Sequence, residues 1–360
     1  MKKVLLLALA LVMVVSCFAC TPKPDAPADA AGSTEAQGAS GDLVSVKYVV
    51  PRTIECLDDA HVWCAIEMGY FKEEGLDVSV EQSTGTTDVK MVTVGQAEFC
   101  IPSPINLIIA HEAGMNLKSV FQCDTTQIYG ICVRADSDIV TPADLVGKTV
   151  VLGDASWQPE FEVFLHAAKI DPSTVNFVVG GDSRAQMVDM GQADAVYTWE
   201  KEYQLWMAQG LNLRYISFQD IYPACANSIC VTEDMIASNP DLIVKFCRAY
   251  AKGILFCKAN PEAAADIIVK TFPALNLTRQ EAYPAIEGLV NITNDASTVE
   301  HGYGWHDEYE WQLNKEGGLI TNCFTEDLPV THYYTNEFVE AINDFDYESV
   351  INDAKSYKLD

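Results

Sequence analysis

One segment of the chain occurs twice. Met91-Val92-Thr93-Val94-Gly95-Gln96-Ala97-Glu98 returns as Met187-Val188-Asp189-Met190-Gly191-Gln192-Ala193-Asp194, and upstream Gly85-Thr86-Thr87 aligns in the same register with Gly181-Asp182-Ser183. A β-branched run precedes each copy (Val78 to Val80, Val175 to Val179), and a short apolar run follows it (Phe99 to Ile101, Ala195 to Tyr197). Each copy therefore reads as strand, glycine turn, amphipathic helix, glycine stop, strand. Glycine permits the tight turn, the adjacent Thr or Ser can cap the helix, and Gly95 and Gly191 end the helices. Such a unit makes parallel strands with a right-handed crossover, so two copies predict two α/β lobes. Open α/β sheets bind ligands beyond the carboxyl ends of their strands. That rule puts Pro102-Ser103 of one lobe and Thr198-Trp199-Glu200 of the other at a cleft. A duplicated enzyme domain would show the same repeat.

The N-terminus bounds the compartment. Lys2 and Lys3 precede an apolar run from Leu5 to Val15, too short to span a bilayer and read as the core of a signal peptide occupying residues 1–20. Val14-Val15-Ser16-Cys17 fits the pattern of a lipidated cysteine, and Cys20 sits directly before the following linker, so either could carry the lipid. Residues 21–42, rich in Ala, Gly, Ser, Pro and Asp, cannot bury a core and read as a flexible tether. The rest suits two lobes: 43–133 with 228–360, and 134–227, the chain crossing near Cys132 to Ala135 and again near Tyr222 to Asn227. Two crossings predict a two-stranded hinge. Helix starts are legible at Thr141-Pro142-Ala143-Asp144, Asn239-Pro240 and Asn260-Pro261.

A net charge of −28 argues against nucleic acid and against a basic membrane-binding face. It either biases the site towards neutral or cationic ligands or only keeps the surface soluble. Ten further cysteines form no C-x-x-C pair, and many lie in apolar runs such as Phe99-Cys100-Ile101, which predicts free thiols. His301 and His306 stand among aromatic residues without an evident ligand set, so neither a metal nor a cofactor is expected.

The stretch Ala65 to Val78 (AIEMGYFKEEGLDV) resembles the opening motif of the nitrate, sulfonate and thiamine-precursor class of ABC-transporter binding proteins. Gly95-Gln96-Ala97-Glu98-Phe99, Thr141 to Lys148 and Gly191-Gln192-Ala193-Asp194-Ala195 extend the likeness over about residues 45 to 260. The resemblance implies a type II periplasmic-binding-protein fold, an α/β structure of two lobes without catalysis, with a permease and an ATPase as partners. Some members of the wider family are enzymes that form a thiamine pyrimidine and carry neighbouring cysteines. That cluster is missing here.

By motif position, Asp58 and Asp59 follow the first strand where family members contact ligand, although they could equally cap the next helix. Trp63 is either a contact or core. Thr84, Thr86 and Thr87 could offer hydroxyl and N–H groups, and Ser103 stands at the first cleft position. In the second lobe Ser156, Trp157, Tyr197, Trp199 and Glu200 sit at strand ends, and Tyr222 at a crossing. Converging aromatics favour a flat heterocycle, with Glu200 pairing a ring nitrogen or amino group. A sulfonate or nitrate binder is the alternative, with Arg52, Arg134 and Arg184 as the nearby arginines.

Overall fold

The β-branched runs form two separate mixed sheets, and helices cover their faces. The computed structural model describes residues 43–293 and 296–358, so the signal, Cys17, Cys20 and the tether lie outside the described residues. In chain order the strands are β1 (Val44–Val50), β2 (Leu76–Gln82), β3 (Phe99–Cys100), β4 (Leu117–Gln122), β5 (Tyr129–Arg134), β6 (Thr149–Leu152), β7 (Asn176–Val179), β8 (Ala195–Trp199), β9 (Leu213–Ser217) and β10 (Ser228–Thr232). The first sheet runs β2-β1-β3-β10-β4 and the second β7-β6-β8-β5-β9.

The two repeats hold equivalent positions. β2 and β3 flank β1 and are parallel to it, as β7 and β8 flank β6. Gly95 and Gly191 have φ of 70° and 71°, a region glycine enters without a Cβ penalty. The amides of Gln96 and Gln192 then return to the carbonyls of Met91 and Met187, each at 2.8 Å. The closing acid of each copy reaches the middle strand: Glu98 Oε2 accepts from the Lys47 amide at 2.7 Å, and Asp194 Oδ2 from the Thr149 amide at 2.8 Å. The Gly-Gln-Ala-acid motif thus locks helix to strand. Thr86 and Ser183 take the N-cap positions but make no side-chain capping bond, contrary to expectation.

β5 pairs antiparallel with β8 and β9, so the chain leaves the first sheet between Gln122 and Tyr129. This is upstream of the crossing expected near Cys132 to Ala135 and of the expected boundary at 133. It returns between Ser217 and Ser228, a stretch containing the expected Tyr222 to Asn227.

The proline-led helices form where read, over Pro240–Ala259 and Pro261–Thr271. Helix Pro240–Ala259 lays Phe246 flat on Phe99, centroids 3.9 Å apart. A Cβ on Gly253 would lie 2.1 Å from the His61 carbonyl oxygen, so only glycine lets this helix approach helix Ala60–Glu67 so closely. That contact anchors the helix behind the loop carrying Arg52 and Asp58. All ten described cysteines are free, and all but Cys323 are buried.

Candidate ligand-binding cavity

A cavity lies where the carboxyl ends of the parallel strands of both sheets converge. β1 leads to Pro51 and Arg52, β2 to Gly85 and Thr86, and β3 to Ile101, Pro102 and Ser103. From the second sheet β6 leads to Trp157 and β8 to Trp199 and Lys201, while Glu160 comes from helix Gln158–Ala167. Asp58, Asp88, Asn106, Asp124, Tyr129, Tyr197 and Asn227 complete the polar and aromatic lining. The space measures about 650 Å³ including its solvent-open part.

One wall is aromatic. Trp157 and Trp199 meet edge to face, centroids 6.0 Å apart at 70°. Tyr197 lies 6.4 Å from Trp157 and 5.4 Å from Tyr129. The Arg184 guanidinium sits 5.5, 5.7 and 5.4 Å from the rings of Trp157, Trp199 and Trp206. Glu202 pairs with that guanidinium and also accepts the Thr198 hydroxyl at 2.7 Å. Cation–π contacts each contribute about 0.5–2 kcal/mol and hold the ring planes.

The cavity's two cations are already paired. Arg52 bonds Asp59 at 2.7 Å and lies 4.0 Å from Asp58. Lys201 lies 3.8 Å from the Asp58 carboxylate and donates to the Asp58 carbonyl at 3.3 Å. Asp88, Asp124 and Glu160 are buried acids. Burial pushes Asp88 and Glu160 each up to about 7, opposed at Asp88 by backbone N–H groups and at Glu160 by the Ser103 and Tyr197 hydroxyls. Asp124 is also raised by burial, with Lys201 and Arg52 pulling the other way.

Of the residues singled out in the sequence, Asp58, Thr86, Ser103, Trp157, Tyr197 and Trp199 line this cavity. Thr84 lines an adjoining chamber that also borders Trp157, Trp199, Asp154, Asp182 and Arg184. The others stand elsewhere. Asp59 turns to Arg52. Trp63 packs edge-on against Phe272 at 5.0 Å, a core-side contact. Thr87 is exposed on its helix, and Ser156 bonds Asp154 at 2.7 Å without lining either chamber. Glu200 is exposed, because the helix that it starts turns it away and presents Lys201 instead. Tyr222 is buried and donates to the Leu313 carbonyl at 2.8 Å. Arg134 pairs with Asp136 on the surface.

Sequence reasoning missed Asp88, Asn106, Asp124, Tyr129, Glu160, Lys201 and Asn227. The repeat register held a signal for one of them: Asp88 and Arg184 are the same position in the two copies, and each borders a chamber. Ser119, His306 and Asn336 form a hydrogen-bonded chain of 2.6 and 2.8 Å, but Ser119 is fully buried and outside the cavity lining. Burial holds the His306 imidazole down at about 4. Among the described residues no group of three or more His, Cys, Asp or Glu is arranged to hold a metal.

Residues 58–264 match the family described as NMT1/THI5 like. The chain is 25% identical over 353 residues to the riboflavin-binding protein RibY of Chloroflexus aurantiacus, covering 94% of this chain and 99% of that protein. It is 26% identical over 267 residues to the formylaminopyrimidine-binding protein of Halalkalibacterium halodurans, covering 69% and 81%. Among solved structures, the alkanesulfonate-binding protein SsuA of Xanthomonas axonopodis superposes with a TM-score of 0.63 at 13% identity, covering 83% of this chain and 99% of that one. The two-sheet architecture is the periplasmic-binding-protein fold.

Proposed function

Because this chain belongs to the NMT1/THI5-like family, we propose that it is the extracytoplasmic solute-binding lipoprotein of an ABC importer, closing two lobes on a small, flat heterocycle. One lobe carries each sheet, and residues 123–128 and 218–227 form the hinge. Lipid on Cys20 or Cys17 holds the protein at the membrane, residues 21–42 act as its tether, and a permease with its ATPase receives the solute. Among the described residues no helix is long and apolar enough to cross a membrane.

The observation that carries this reading is the aromatic wall of Trp157, Tyr197 and Tyr129 facing cations that are already neutralised. Stacking adds about 0.5–1.5 kcal/mol per ring pair beyond area burial. A sulfonate or nitrate needs cationic charge still to be matched, and here Asp58 and Asp59 offset Arg52 and Lys201 while three more acids add negative potential. Two relatives whose names state nitrogen heterocycles as ligands favour the same class, a thiamine-pyrimidine-precursor-like solute included. A pyrimidine-forming enzyme has less support, since no cysteine lines the cavity.

Ligand-induced melting shifts test the class with riboflavin, formylaminopyrimidine, a purine, taurine and nitrate. A ligand at ~100 times its dissociation constant adds ~2.7 kcal/mol. A shift with taurine or nitrate and none with any heterocycle would refute the proposal. Turnover with pyridoxal phosphate, iron and oxygen would revive the enzymatic reading. Mass spectrometry of the mature N-terminus checks the anchor.

A further inference from the structure

Stacking grips the face of a ring, and its edges must meet other groups. Of the cavity's carboxyls, Asp58 and Asp124 lie within the influence of Lys201 and Arg52. Glu160 feels neither cation, and Asp88 feels Arg52 only behind the larger effects of burial and backbone N–H groups. Asp88 is 1% exposed, lines the cavity, and its Oδ2 has no hydrogen-bond partner. A buried acceptor left without a donor costs about 1–3 kcal/mol, so the atom is unsatisfied until a donor arrives. It belongs to helix Thr87–Thr93 beside the first sheet. Glu160 is 4% exposed, lines the same cavity from helix Gln158–Ala167 beside the second sheet, and is met by hydroxyls alone, those of Ser103 and, at a long 3.5 Å, Tyr197.

We infer that Asp88 and Glu160 are the specificity-determining acceptors of this cavity, one from a helix beside each sheet, and that they read N–H donors on the solute. The inference rests on the heterocycle reading above and narrows it to rings that carry amino, amide or imide N–H groups. A ring offering acceptors alone leaves both carboxyls unsatisfied, and an anion is repelled by them.

The charge state of the pair links recognition to pH. Burial disfavours the charged forms of both acids and raises each to about 7. The groups facing Asp88 are Arg52 after β1, Cys100 on β3 and Cys230 on β10. Those facing Glu160 are Ser103, Tyr197, Tyr129, Tyr222 and Cys323. None of these titrates between pH 6 and 8 in an ordinary thiol, hydroxyl or guanidinium range. N–H donors from a solute stabilise the ionised carboxyls, so binding expels protons and tightens as pH rises through 7.

The test measures fluorescence-detected affinity for riboflavin and formylaminopyrimidine at pH 6, 7 and 8, with D88N and E160Q beside the wild type. Wild-type affinity is expected to rise from pH 6 to 8 by about tenfold for each carboxyl that must be ionised, about a hundredfold for the pair, as a carboxyl of pKa about 7 passes from about one-tenth to nine-tenths ionised. Each variant should bind at least about tenfold more weakly at pH 8 and show a shallower pH dependence. W157A is the control: it should weaken binding while keeping the pH slope. Should a variant fail to fold, N3-methylriboflavin, which lacks the ring N–H, supplies the ligand-side arm and should bind the wild type at least about tenfold more weakly than riboflavin. Heterocycle binding with unchanged affinity and slope in both variants, or undiminished binding of the methylated flavin, overturns this inference and leaves the heterocycle reading intact. A wild type that binds neither of these heterocycles nor a purine, and does bind taurine or nitrate, overturns both.

Discussion

The indole N–H of Trp199, at the end of β8, donates to Asp58 Oδ1 in the loop after β1 at 2.6 Å. The bond joins the two sheets across the cavity, and Lys201 reinforces it by donating to the Asp58 carbonyl. Asp58 also lies beside Arg52, so one carboxylate serves a cation from each sheet. Through these contacts Asp58 ties the two halves together.

Replacing Asp58 by Ala leaves Arg52 and Lys201 under-compensated in a buried setting. Breaking a buried pair by removing one partner costs about 3–5 kcal/mol. The melting temperature should fall, and the unliganded radius of gyration from small-angle scattering should increase as the sheets part. D58N keeps an acceptor for Trp199 but not the charge, and should fall between. An unaltered radius and melting point in D58A would remove Asp58 from this role.

The two tryptophans should behave differently. Trp157 is half-buried and makes no indole hydrogen bond to protein, so W157A should weaken solute binding by roughly 1–3 kcal/mol and change unliganded stability little. Trp199 is 8% exposed and bonded to Asp58, so W199A should lose roughly 3–5 kcal/mol of stability as well as affinity. Chemical denaturation and fluorescence titration of both variants separate the two effects.

Gly85, in the loop after β2, lies close against the loop after β6. Its φ is 59°, and a Cβ there would meet Asp154 Oδ1 at 2.7 Å and Ser156 Oγ at 2.8 Å. G85A should therefore weaken solute binding by obstructing closure, beyond the backbone strain of about 1–2 kcal/mol. Gly69, with φ of 79° and nothing within 4 Å of its Cβ position, supplies the comparison. G69A should cost similar stability and leave affinity alone; equal affinity losses in both would assign the effect to strain.

The buried acids also set how stability responds to pH. Asp88 and Glu160 are raised to about 7 from ordinary values of 3.8 and 4.5. Between those limits the folded chain holds protons that the unfolded chain has released, so their contribution declines as pH rises from about 4 to 7 and then levels. The melting temperature of the empty protein should track that decline on top of the other groups. D88N and E160Q should each flatten it, and an unchanged pH profile in both would show that neither acid is raised.

The two-sheet architecture was legible in the sequence because a repeat reports backbone geometry. Gly95 and Gly191 must turn, Glu98 and Asp194 must reach an amide, and each requirement is local enough to leave a spelled-out trace. The converging aromatics were legible for the same reason, since a residue at the end of a strand points where the strand does. What the sequence could not convey was which way a helix turns its first residues: Glu200 was read as a contact and faces solvent, while Lys201 beside it faces the cavity. Nor could it show that Lys201 and Asp58, far apart in the chain, offset each other's charge, or that helices beside different sheets bring Glu160 and Asp88 to one cavity. Turns and closures are written in short-range steric rules. The charge state and direction of a site residue follow from what long-range packing puts beside it, and only the tertiary structure decides that.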